Sequence, residues 1–223
     1  MMGSLKSNLT TPTVLQPVQT EPAQTRSLQD LVYPLTSIIE RLDLSKLFPR
    51  HQPLEVELGS GDGSFLVDYA KQHPDRNFIG VERLGGRIRK LDRKGRRAGL
   101  ENLRGVRIES AYFLRYLLQL HSACALHVYF PDPWPKRKHL RHRLINEQFT
   151  SLAHGALERG GIVYLRTDDL DYFQQMIEVF DASRDFVKEQ TPAELAGLLT
   201  DFEREFNARG VKTLRAAYRS TQV

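Results

Sequence analysis

Leu54-Glu55-Val56-Glu57-Leu58-Gly59-Ser60-Gly61-Asp62-Gly63 is the stretch on which the reading of this chain turns. Its first half reads as a short strand. Its second half reads as a turn, because three glycines at alternate positions let the backbone bend sharply and approach a ligand closely. A helix is expected at once over 63–71, where Phe65, Leu66 and Tyr69 share one face. The pattern then repeats. Strands are expected at 77–82, 103–108, 124–130 and 162–166, and helices at 83–98, 111–120, 142–157 and 170–180. Residues 124–130 are apolar enough to be buried on both faces. Gly160-Gly161 reads as a turn into the fifth strand. The end is less regular, with strands near 186–188 and 213–218 and a short segment over 201–207.

Strands alternating with helices imply an α/β fold with a parallel sheet covered on both faces. In such a sheet ligands bind outside the C-terminal ends of the strands, where the strand order reverses. Acidic residues stand at those places: Glu57, Glu82, Glu109, Asp132 and Asp168 each close or follow a strand. Glu82 is placed to accept hydrogen bonds from two ribose hydroxyls.

Two cofactors are compatible with this arrangement. A dinucleotide needs G-x-G-x-x-G, with its pyrophosphate on the helix N-terminus. Here the spacing is G-x-G-x-G, and Asp62 inside the loop repels a pyrophosphate. S-adenosylmethionine has no phosphate and is cationic at its sulfonium and methionine end, which Glu57, Asp62 and Asp132 suit better. The residues favour the methyl donor over a nicotinamide or flavin dinucleotide; a glycine turn with no ligand is the third reading.

The chain has 223 residues and a net charge of +5, with 40% hydrophobic and 26% charged residues, an ordinary globular composition. Residues 1–27, rich in Thr, Pro, Gln and Ser, read as a flexible tail, and 28–223 as a single domain. No apolar run approaches the roughly 18 residues a membrane span needs. The first 30 residues lack an apolar signal core, so a cytoplasmic setting is expected. The single cysteine, Cys124, excludes an intramolecular disulfide and a cysteine-based zinc site. Charge is segregated. Residues 83–107 carry a net +8 and 132–143 a net +4, leaving −7 for the rest of a +5 chain. Two basic stretches on a mildly acidic body suit a polyanion, nucleic acid first, against the plainer reading of solvated helix faces.

Tyr129-Phe130-Pro131-Asp132-Pro133-Trp134-Pro135-Lys136-Arg137-Lys138-His139 joins the second basic stretch to the fourth strand. Three prolines in five residues stiffen this loop and hold Asp132 rigidly. Trp134, the only tryptophan, reads equally as a base-stacking platform or as packing. Lys136, Arg137, Lys138, Arg141 and Arg143 stand ready to neutralise phosphates. Basic residues are unfavourable near a helix N-terminus, and a polyanionic partner explains their presence.

These residues carry a resemblance. Val-Glu-Leu-Gly-Ser-Gly-Asp-Gly from Val56, Phe-Ile-Gly-Val-Glu from Phe78, Phe-Pro-Asp-Pro-Trp-Pro-Lys from Phe130, Arg-Thr-Asp-Asp from Arg166 and Thr-Asp-Phe-Glu from Thr200 resemble the bacterial tRNA (guanine-N7)-methyltransferases. The likeness runs over 54–219. It implies a class I S-adenosylmethionine-dependent methyltransferase (Rossmann-like) fold, a mostly parallel seven-stranded sheet whose last strand is antiparallel. It implies methyl transfer to N7 of guanine 46 in the variable loop of tRNA, S-adenosylmethionine as donor with S-adenosylhomocysteine as product, and no metal. The resemblance assigns Glu57, Gly59, Gly61, Gly63, Glu82, Glu109 and Asp132 to the cofactor and makes Asp132 catalytic. Lys136, Asp168, Thr200, Asp201, Phe202 and Glu203 would contact the substrate. Three positions depart from the family pattern: Glu109 for a more frequent Asp, Pro135 for a frequent His, and Asp201 for a frequent Lys. The expected partner is tRNA and not a membrane, and both a monomer and a homodimer fit. Competing readings are a methyltransferase acting on another RNA, a protein or a small molecule, a dinucleotide-dependent oxidoreductase, and a non-catalytic RNA-binding module.

Overall fold

The computed structural model describes residues 30–221, and the expected tail at 1–27 lies outside them. The strands, in chain order, are β1 (Val32–Tyr33), β2 (Leu54–Leu58), β3 (Asn77–Val81), β4 (Leu103–Val106), β5 (Ala123–Tyr129), β6 (Leu157–Thr167), β7 (Phe186–Glu189) and β8 (Leu214–Ser220). The helices are α1 (Leu44–Leu47), α2 (Ser64–Gln72), α3 (Gly85–Arg97), α4 (Ser110–Tyr112), α5 (Glu147–Ala156), α6 (Leu170–Asp181), α7 (Ala193–Gly197) and α8 (Asp201–Ala208).

All eight strands form one sheet in the order β1-β4-β3-β2-β5-β6-β8-β7. Strand β2 is buried at every residue and runs parallel to β3 on one side and β5 on the other. The chain builds outward from β2 through β3 to β4, then returns to start again at β5. The strand order therefore reverses between β2 and β5, and the ends of those strands carry Glu57 and the Pro-rich loop. The last strand, β8, is antiparallel to both β6 and β7. These are the seven strands expected, with the two-residue β1 added at the β4 edge.

Alternate residues of the sheet face two apolar clusters. Val56, Ile79 and Leu126 pack with Phe149 of α5 and with Met176 and Phe180 of α6. Phe78 and Leu103 pack with Phe65 and Leu66 of α2 and with Ile88 and Leu91 of α3. Between β2 and β5 the buried Glu55 and His127 are matched: His127 Nε2 lies 2.6 Å from Glu55 Oε2, and its Nδ1 lies 2.7 Å from the Tyr129 hydroxyl.

Three expected elements are corrected. The helix over 142–157 begins only at Glu147, because the Asn146 side chain accepts from Gln148 N and caps it there; Arg137–His142 is a 3-10 turn. The helix over 111–120 is the short α4, capped by Glu109, running into a π-helical stretch Phe113–Leu117. The Gly160-Gly161 turn is a bulge inside β6: pairing with β5 jumps from Ala123↔Leu157 to Ala125↔Ile162, with Gly160 at φ 72°.

Candidate active site

Gly59, Gly61 and Gly63 all adopt left-handed backbone, at φ 84°, 57° and 78°. No other residue type takes up three such positions in one turn without strain. The amides of Gly59 and Ser60 donate to the Val81 carbonyl at 2.8 and 2.9 Å, so the loop folds across the end of β3. Glu82 fastens it there, accepting from Gly61 N at 3.1 Å and from Leu84 N at 2.7 Å. Gly63 opens α2, where a Cβ would come within 2.7 Å of Leu91 Cγ. Glu109 accepts from the amides of Ala111 and Tyr112 at 2.9 and 2.7 Å and aligns α4 beside the same cleft.

Across the cleft lies the loop that follows β5. Phe130 and Trp134 adopt φ 50° and 45°, costly for large side chains, so this loop carries backbone strain. The loop is held by Arg143, which donates from Nε to the Pro133 carbonyl at 2.7 Å. Arg143 also binds Gln175 at 2.8 Å and Asp171 at 2.6 Å, and its guanidinium lies 4.7 Å over the Tyr172 ring. It is buried, which removes it from the phosphate-binding run that the sequence suggested. Asp132 is exposed, with its carboxylate 3.9 Å from Arg83. The Trp134 ring is half-buried against His142 and His139, with centroids 5.3 and 5.7 Å away. It is neither core nor a free platform.

A cleft of about 480 Å³ separates the two loops. Gly59, Glu82, Glu109 and Asp132 converge on it, joined by Arg83, Arg87, Trp134 and His142. Glu57 is not on its wall. It is buried at the end of β2, its Oε2 without a hydrogen-bond partner among the described residues. Burial pushes the Glu57 carboxyl up to about 8 against the pull of Arg166, and Asp62 and Glu82 add to the rise. Gly61 and Gly63 shape the loop without lining the cleft. Asp62 is corrected. Burial would raise its carboxyl, but hydrogen bonds from Lys94 (2.8 Å) and Ser64 outweigh this and hold it below its ordinary value. Its charge is paired with Lys94 at 2.8 Å.

The substrate residues divide. Asp168 is exposed just past β6, and Lys136 is exposed at the foot of the 3-10 turn; neither lines the cleft. Phe202 is exposed and leans toward Phe130, with centroids 6.1 Å apart. Asp201 is bonded to the Ser64 hydroxyl and pairs with Arg204 at 2.6 Å, and Lys94 stands 4.0 Å away. Thr200 and Glu203 are engaged within the protein. They form a capping box at the start of α8, and Glu203 is fully buried with both oxygens occupied. Its Oε1 meets Arg215 at 2.7 Å, and its Oε2 meets Arg166 at 2.7 Å and Thr200 N at 2.9 Å. A capping box is visible in Thr-x-x-Glu; a buried ionic partner on another strand is not.

A positive-φ glycine turn, a carboxylate bridging it to the next strand and an open carboxylate oxygen suit a cation-bearing nucleoside. The doubly flanked sheet with this cleft at its switch point has the class I S-adenosylmethionine-dependent methyltransferase fold. Solved structures share it. The 16S rRNA methyltransferase KamB matches with a TM-score of 0.59 at 16% identity, over 82% of this chain and 95% of that one. TrmN from Thermus thermophilus matches at 0.55 and 15%, over 77% and 45%. A family model described as "Putative methyltransferase" matches residues 51–216. Proteins named tRNA (guanine-N(7)-)-methyltransferase are also similar. The one from Leifsonia xyli subsp. xyli is 34% identical over 183 residues, 80% of this chain and 81% of that protein. The one from Nitrosomonas eutropha is 33% identical over 174 residues, covering 77% and 76%. The one from Thermotoga maritima is 32% identical over 77% of this chain, which spans only 55% of that protein's length. The chain belongs to the tRNA (guanine-N7)-methyltransferase family.

Proposed function

We propose that the chain transfers a methyl group from S-adenosylmethionine to N7 of guanine in tRNA, at position 46 of the variable loop. The observation that carries this reading is the convergence of Gly59, Glu82 and Glu109 on one cleft with Asp132 and Trp134, in a chain of this family. Glu82 would take the ribose, Glu109 the neighbourhood of the base, and Glu57 the cationic methionine end. When bound, S-adenosylmethionine supplies an electrophilic methyl group.

Guanine N7 has an in-plane lone pair and no proton at neutral pH, so the protein has no proton to remove from it. What remains is to orient the ring and to stabilise the positive charge that grows on it. Asp132 suits both tasks. Its loop is stiff, its carboxylate opens on the cleft, and it can accept from the N1–H or amino group of guanine. Trp134 gives the purine an aromatic wall beside it. Exposed Arg87, Arg89, Lys90, Arg93 and Arg97 on α3 suit the RNA backbone, without reading its sequence. Among the described residues no helix is long and apolar enough to cross a membrane. A tRNA substrate agrees with a cytoplasmic setting.

The test compares labelled methyl transfer to an unmodified tRNA transcript with transfer to the same transcript carrying adenine at position 46. Transfer to the first alone is expected. Equal transfer to both would reject the assigned position.

A further inference from the structure

Two guanidinium groups, those of Arg83 and Arg87, stand on the wall of the cleft. A cationic methyl donor accounts for carboxylates there and leaves these two cations unexplained. Both side chains are exposed. Two acids of the same wall are already engaged with backbone amides. Glu82 accepts from Gly61 N at 3.1 Å and Leu84 N at 2.7 Å, and Glu109 accepts from Ala111 N at 2.9 Å and Tyr112 N at 2.7 Å. Arg83 reaches across the cleft to Asp132, at 3.9 Å. That is ion-pair range and beyond a hydrogen bond. The two side chains are 63% and 71% exposed. A pair so open to water is worth at most about five-fold in an equilibrium constant, so it separates readily. The Arg87 side chain has no hydrogen-bond or ion-pair partner among the described residues.

Two open guanidiniums on one wall suit an anion, and the planar fork of donors on each matches phosphate. The two ligands of the cleft bring two anions: the carboxylate of S-adenosylmethionine and the phosphate of the nucleotide that enters. The methionine end belongs with Glu57 at the end of β2. Arg83 extends the other way, toward Asp132 and the guanine side. Phosphate is therefore the anion that fits. We propose that Arg83 and Arg87 form the subsite for the phosphate of the target nucleotide itself. Arg83 leaves Asp132 for this phosphate, and the carboxylate so released meets the guanine. Arg87 is thereby set apart from Arg89, Lys90, Arg93 and Arg97, which are exposed on α3 and suit the flanking backbone. This rests on reading the cleft as the site of S-adenosylmethionine and guanine.

The test is inhibition of methyl transfer to tRNA by two small probes, guanosine and guanosine 3′,5′-bisphosphate, with the full chain at fixed ionic strength. Wild type is compared with Arg83→Ala, Arg83→Lys, Arg87→Ala and Arg97→Ala. Calorimetry gives the S-adenosylmethionine affinity of each, and circular dichroism checks folding. The bisphosphate should inhibit wild type about ten-fold better than guanosine. Arg83→Ala and Arg87→Ala should each remove most of that preference and raise KM for tRNA about ten-fold. Each should also lower the slope of log K against log salt by about 0.7 to 0.9 and leave S-adenosylmethionine affinity within about three-fold. Arg83→Lys keeps the charge without the fork and should fall between wild type and Ala. Arg97→Ala should weaken tRNA binding and keep the preference for the bisphosphate. Equal inhibition of wild type by the two probes, or inhibition by neither at millimolar concentration, would overturn the proposal. So would a preference that survives Arg83→Ala and Arg87→Ala. A loss of S-adenosylmethionine affinity as large as the rise in KM would give the two arginines to the cofactor carboxylate and overturn it as well. Wild type that transfers no methyl group to tRNA would instead overturn the reading of the cleft, and the proposal with it.

Discussion

Asp132 and Glu57 are two carboxylates in opposite environments, one exposed and one buried. Asp132 is exposed on a strained loop, its nearest cation 3.9 Å away. It can meet a purine and the charge that develops there. Asp132→Ala should lower kcat roughly 100-fold or more while leaving tRNA affinity nearly unchanged. Single-turnover methylation and filter binding measure the two; near-normal turnover would remove Asp132 from the chemistry. Glu57 is buried, with its carboxyl pushed up to about 8 from an ordinary 4.5. The folded state therefore holds the Glu57 proton more tightly than the unfolded chain does. Its contribution to stability is fully present below about pH 4.5 and is lost as pH rises toward 8. Glu57→Gln should accordingly raise the Tm at pH 8, narrow that gain toward pH 5, and weaken cofactor binding at both. Thermal unfolding with and without S-adenosylmethionine checks this, and a lower Tm at pH 8 would contradict the assigned environment.

At the scale of elements, two loops and one helix make the site. The glycine turn and the Pro-rich loop face each other across the switch point, and α8 touches both. It does so through Asp201 at Ser64 and through Phe202 and Phe206 at Phe130. Strands and the glycine turn were legible because periodicity and glycine spacing are local properties. The cap that sets the true start of α5, Asn146, was legible in principle as a side chain of capping type just before the helix, whereas Glu109 is not of that type. Arg143 was misread. Nothing local separates an arginine that meets phosphate from one that meets a backbone carbonyl ten residues earlier. Arg143→Ala should therefore act on the Pro-rich loop, costing about 2 kcal/mol of stability through its lost hydrogen bonds and lowering kcat. Arg141→Ala should weaken tRNA binding and leave stability alone. Urea unfolding and tRNA titration of the two variants separate these roles; matching effects would put Arg143 back in the phosphate run.

Over the whole molecule, the charge pattern survives in reduced form. Lys94 and Arg96 pair with Asp62 and Asp30, and Arg104 lies over Phe48 at 5.3 Å. The remaining exposed cations of α3 form one face beside the cleft, continuing into its wall through Arg83 and Arg87. Replacing Arg89 and Arg93 by Ala should weaken tRNA binding and lower the slope of log K against log salt by about one per lost phosphate contact. Unchanged affinity and slope would move the RNA to another face. The sheet and the gathering of Glu82, Glu109 and Asp132 on one cleft could be read from sequence, since each acid follows a strand and strand ends converge in this topology. The burial of Glu203 could not, because it depends on Arg166 and Arg215, which reach it from β6 and β8. The most direct measurement is incubation of the full chain with S-adenosylmethionine and unmodified tRNA, followed by mapping of 7-methylguanosine by strand scission and mass spectrometry. A single 7-methylguanosine at position 46, lost in Asp132→Ala, is expected; tRNA that is bound but carries no 7-methylguanosine would contradict the account.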